Sequence, residues 1–122
     1  MQVVGYMDGT SSDVLTTVIL HGYETLPLSN GWDNHGKHLT LLNPADNLSI
    51  VVGPLHKFLR VSDKTIFKAM LASVESYGLM VFFIVPKEYH EQAEALIEAG
   101  ELKYRLVDPG DLAKEVLDYL KK

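Results

Sequence analysis

Apolar positions along the chain fall into two kinds of run, and the two kinds alternate. Leu79 to Val85 (LMVFFIV) is apolar without a break, the pattern of a strand covered on both faces, and Leu48 to Val52 (LSIVV) has the same character. Gln2 to Met7 and Tyr23 to Leu28 predict two more strands, although Pro27 cannot donate to a ladder and weakens the second. Leu102 to Val107 (LKYRLV) alternates instead, setting Lys103 and Arg105 on one side, as a strand near an edge does.

Helical stripes lie between these runs. From Ser62, placed to cap, the positions Ile66, Phe67, Met70, Leu71 and Val74 share one face. Lys87 to Ala99 turns Tyr89, Ala93, Leu96 and Ile97 inward and Glu88, Glu91, Glu94 and Glu98 outward. Asp108, Pro109 and Asp111 suit the start of a last helix, whose stripe is Leu112, Val116, Leu117 and Leu120. Val14 to Leu20 reads as helix because Val14, Leu15, Val18 and Ile19 share a face. Its β-branched content keeps a strand, hairpinned around Thr10 to Asp13, as the alternative. Ser29 to His38 is polar and glycine-bearing and reads as a loop, and Leu39 to Asn43 as one helical turn before Pro44.

One phrase recurs at His21-Gly22-Tyr23, Tyr77-Gly78-Leu79 and Ala99-Gly100-Glu101: a helical stripe, a glycine, then a strand. Glycine tolerates the left-handed conformation that closes a helix, so each phrase predicts a helix end turning into a strand. Strand and helix in alternation make βαβ units with parallel strands. The expected fold is therefore a single α/β domain over residues 1–122, three-layer and Rossmann-like or flavodoxin-like, with about five mainly parallel strands and helices on both faces.

Composition narrows the partners. The net charge of −5, from 16 acidic against 11 basic residues, gives no general attraction to nucleic acid or an anionic membrane. With no cysteine, a disulfide framework, a thiolate metal site and a cysteine nucleophile are excluded, and a reducing, cytoplasmic setting is expected. The start of the chain has no basic stretch ahead of an apolar one, and no apolar run reaches the ~18 residues of a bilayer span, so neither a targeting segment nor a membrane anchor is expected.

In an open parallel sheet, ligands bind beyond the carboxyl ends of the strands, where strand order reverses. In a flavodoxin-like order those loops follow the first and third expected strands. The first holds Asp8, Gly9, Thr10, Ser11 and Ser12 and runs into a helix N-terminus, where free N–H groups favour an anion. The second holds His56, Lys57 and Arg60, whose charge complements phosphate or carboxylate. The expected activity is binding of an anionic small molecule, a nucleotide or a phosphorylated or carboxylated metabolite, with Asp8 the candidate catalytic acid or base. The competing account makes Thr10 or Ser11 a plain cap and leaves the basic side chains solvated.

Met7-Asp8-Gly9-Thr10 is similar to the end of the haloacid-dehalogenase phosphatase motif, but Tyr6 occupies the nucleophile's position, so that chemistry is not implied. Receiver domains need an aspartate at the end of the third strand, where this chain has Gly53. No Gly-x-Ser-x-Gly elbow, complete P-loop or Gly-x-Gly-x-x-Gly fingerprint is present, so no motif assigns a cofactor. Asp33, His35 and His38 form a weak candidate metal set, more simply read as polar loop residues. His21 and His90 read as helix-end or surface residues. Leu55, Phe58 and Leu59 are too apolar for an exposed loop; they pack under the next helix, cover a pocket, or with Trp32 form the contact surface of a homodimer or adaptor subunit.

Overall fold

The expected strands all form: a helix follows the first, a further short strand follows the second, and a tight 3-10 turn follows each of the other three. The computed structural model describes residues 2–60, 62–63, 65–97 and 100–121. Its strands are β1 (Val3–Met7), β2 (Glu24–Ser29), β3 (Lys37–His38), β4 (Leu48–Pro54), β5 (Met80–Ile84) and β6 (Lys103–Val107). Its helices are α1 (Ser12–Leu20), α2 (Thr65–Ser76), α3 (His90–Leu96) and α4 (Leu112–Leu120). The sheet order is β3-β2-β1-β4-β5-β6, parallel throughout. This is the strand order of doubly wound Rossmann-like folds, with the reversal between β1 and β4.

Two cores sandwich the sheet, and the unbroken apolar strands are explained by them. On one face Val4, Ile50, Val52, Phe82 and Val107 pack against Val14 and Val18 of α1 and Leu112, Val116 and Leu120 of α4. On the other, Met7, Leu28, Val51, Val81 and Phe83 meet Phe67, Met70, Leu71 and Val74 of α2 and Ala93 of α3. Successive side chains of a strand point to opposite faces, so only strands with both faces covered need to be apolar at every position.

The glycine phrases close helices as expected. After α1, the Gly22 N–H donates to the Ile19 carbonyl and the Tyr23 N–H to the Val18 carbonyl; after α2, Gly78 and Leu79 repeat the pattern with Glu75 and Val74. These paired bonds satisfy carbonyls that the helix leaves free, and they need a left-handed residue between them, with φ of 90° at Gly22 and 67° at Gly78. In the third phrase Ala99 lies outside the described residues.

Three expectations change. Among the described residues there are six strands and not five: β3 is a two-residue ladder beside Leu28 and Ser29, inside the stretch read as loop, and two residues are too few to show a period. The β2–β3 ladder starts only at Leu28, so Pro27 lies outside it, where a missing donor costs little. Ser62 does not cap α2; the Thr65 N–H and hydroxyl both donate to Asp63. The stripe on Lys87 to Ala99 is shorter than expected: a 3-10 turn covers Lys87–Tyr89, α3 ends at Leu96, and Tyr89 and Leu96 face solvent while Ala93 is buried. That segment flanks a strand near the sheet edge and has only a narrow strip of core to cover; Glu98 lies outside the described residues.

The 3-10 turn Leu55–Lys57 sits at the carboxyl end of β4 and is held by Phe58, which is fully buried. Its ring meets Phe83 edge to face, 5.1 Å between centroids, and Leu55 and Leu59 pack on the same core. The expected packing of this apolar turn beneath α2 is formed. Among the described residues no helix is long and apolar enough to cross a membrane. Removing a buried aromatic ring of this kind costs about 3–5 kcal/mol. Phe58→Ala should therefore lower the unfolding free energy by that amount in urea titrations; a loss below ~1 kcal/mol would contradict the packing described.

Candidate functional site

Topology brings the loop after β1 and the turn after β4 side by side at the carboxyl edge of the sheet. Gly9 marks their contact: a Cβ there would lie 3.0 Å from Pro54 Cγ and 3.8 Å from Lys57 Cε. Across this contact Lys57 Nζ pairs with Asp8 Oδ2 at 3.3 Å. The Asp8 side chain is 52% exposed and that of Lys57 21%. An ion pair so open to water is worth only about 0–1 kcal/mol, so it is not a structural clamp.

A third side chain arrives from the loop after β2. His35 Nδ1 lies 3.0 Å from the Leu28 carbonyl, which can only accept, so Nδ1 carries the proton. Nε2 is left facing Asp8 Oδ1 at 4.0 Å, and the ring meets Tyr6 edge to face at 5.3 Å between centroids. A histidine held by a backbone carbonyl presents its other nitrogen in a fixed direction, as a base when neutral and as a donor when charged.

The loop that delivers His35 is tied down by two buried polar residues, Ser29 and Asn30. The Ser29 hydroxyl lies 2.8 Å from the Asp33 carbonyl and 2.9 Å from Asp33 Oδ1, and accepts from the Gly31 N–H. Asp33 Oδ1 also accepts from the His35 N–H, while its Oδ2 is buried without a donor among the described residues. Asn30 donates to the Lys57 carbonyl and accepts from the Trp32 N–H, joining this loop to the turn after β4.

The remaining candidates are placed as follows. Thr10 donates its hydroxyl to the Met7 carbonyl and Ser11 caps α1 by accepting from the Asp13 N–H, so both hydroxyls have local roles, and Ser12 is exposed in the first turn. His56 is exposed on the 3-10 turn and makes no part of the Asp8 cluster. Arg60 lies elsewhere, with its guanidinium carbon 4.3 Å from the Trp32 ring centroid. Asp33, His35 and His38 do not converge, since His38 Nδ1 turns to the Thr40 N–H, and among the described residues no three metal-ligating side chains gather. His21 and His90 both bond helix-end or strand-end carbonyls, those of Thr17 and Val85.

The sequence groups Asp8 with Lys57 but treats His35 only as a metal candidate, and it passes over Tyr6, Ser29 and Asn30. The available signal was position: Ser29 closes a strand, and Asn30 follows it at the sheet edge where ligands bind.

With the ring neutral, nitrogen NMR of His35 should report the Nδ1–H tautomer. An Nε2–H tautomer would mean that the ring does not donate to Leu28.

The chain matches no family model, no curated protein and no solved structure.

Proposed function

We propose that the crevice between the β1 and β4 loops binds a small anionic molecule, a nucleotide or a phosphorylated or carboxylated metabolite, in a reducing, cytoplasmic setting. The observation that carries this reading is the exposed Asp8–Lys57 pair at the strand-order reversal, with His35 Nε2 turned toward the same carboxylate. Because the pair contributes so little to stability, an incoming anion exchanges Asp8 for itself on Lys57 at small cost. The first turn of α1, with N–H groups the helix does not use, adds donors and a favourable dipole. Asp13 in that turn already supplies one negative charge, so Lys57 carries the larger share of the attraction.

Asp8, freed from Lys57, accepts from a ligand hydroxyl, and beside His35 it can pass a proton. A ligand with a hydroxyl near its anionic group, as in sugar phosphates and nucleotides, uses all of these groups. Thr10 and Ser11 act by holding the loop, and Gly9 lets it approach β4 closely.

The test is a melting screen against inorganic phosphate, ribose 5-phosphate, AMP and citrate. A ligand at 100 times its dissociation constant stabilises the fold by ~2.7 kcal/mol. Lys57→Met should remove most of the shift. Ser11→Asp should abolish it while preserving the unliganded helix, because aspartate caps as well as serine does and suits the dipole. The reading is overturned if no anion shifts the wild type, or if the shift survives both substitutions.

A further inference from the structure

A cavity of about 340 Å³ opens at the same edge of the sheet but on the α2 face, opposite α1. Trp32 from the loop after β2, Arg60 from the segment after β4, and Ile66 and Met70 of α2 line it, with Asn30 and His38 among its polar neighbours. The Asn30 amide and the Nδ1 nitrogen of His38 are already engaged. Asn30 is 3% exposed and both ends of its amide are bonded, and His38 Nδ1 accepts from the Thr40 N–H. Arg60 differs: it forms no ion pair with a carboxylate among the described residues. Its guanidinium lies over the indole, an arrangement that holds the planar fork in place and leaves its N–H edge for another acceptor.

We infer that this cavity binds a small aromatic carboxylate, with the arene against Trp32, Ile66 and Met70 and the carboxylate on the Arg60 fork. Small-molecule sites span roughly 300–1,000 Å³, and a cavity at the lower end admits a single ring system but not a dinucleotide. A cation without a carboxylate partner among the described residues selects one negative group, and a fork pairs best with a carboxylate held bidentate. The rest of the lining rewards a flat apolar body, and the Met70 thioether adds a favourable sulfur–arene contact. Trp32 is 39% exposed in an otherwise polar loop, and such a ligand covers it. None of these residues belongs to the Asp8–His35–Lys57 cluster, so the inference stands apart from the switch-point reading.

Trp32 is the only tryptophan, so one indole N–H resonance reports on the cavity directly. Titration with benzoate should move that resonance saturably, while benzamide and acetate bind at least about tenfold more weakly, each lacking half of the recognition. Arg60→Leu should weaken benzoate about tenfold or more and leave benzamide unchanged. Arg60 is exposed, so the variant should keep the wild-type melting temperature. Lys57→Met should alter benzoate binding by no more than about twofold, which separates this site from the anion crevice. Absence of a saturable shift, equal binding of benzamide and benzoate, or indifference to Arg60→Leu would each overturn the inference.

Discussion

Everything at the functional edge of this protein depends on the close parallel pairing of β1 with β4. Gly53 makes that pairing possible where the site begins. A Cβ at Gly53 would stand 2.5 Å from Met7 Cγ and 3.0 Å from Phe58 Cε2, so only a residue without a side chain lets Met7 lie across β4 and the Phe58 ring enter beneath the following turn. With Phe58 buried, the turn Leu55–Lys57 folds back over the strand ends and carries Lys57 to Asp8. The same pairing separates the two connections. The chain leaves β1 for α1 on one face and β4 for α2 on the other, and the diverging loops leave the opening between them.

Much of this could be read in the residues because it rests on repeated, local physics. Strands buried on both faces are apolar at every position, which made β4 and β5 visible, and the glycines after α1 and α2 mark left-handed closures that other residues adopt with strain. Asp8 and Lys57 could be grouped because topology alone puts their loops together. What escaped depends on contacts between distant segments. β3 exists only as two residues beside β2, Tyr89 and Leu96 turn outward because little core remains for α3 to cover, and His35 reaches Asp8 through a loop shaped by Ser29 and Asn30. No period or spacing encodes those arrangements. Arg60 illustrates the same limit: its charge invites grouping with Lys57, but the indole of Trp32 draws it to the other face.

The two faces of the carboxyl edge thus differ in chemistry while sharing one scaffold. On the α1 side the groups are charged, exposed and weakly paired, which suits exchange with a polar anion. On the α2 side one guanidinium overlooks an apolar floor. Asn30 stands between them, buried and bonded to both the Lys57 carbonyl and the Trp32 N–H. Its two bonds hold the loop after β2 against the turn after β4, and a substitution there would disturb both faces together.

Whether the loops at the β1–β4 reversal receive an anion is tested most directly by amide NMR during a titration with AMP. An anion held there gives saturable shifts concentrated at the N–H groups of Gly9 to Asp13, at Lys57 and at His35, with the strand interiors unmoved. Shifts confined to another surface, or spread evenly over the molecule, would contradict it.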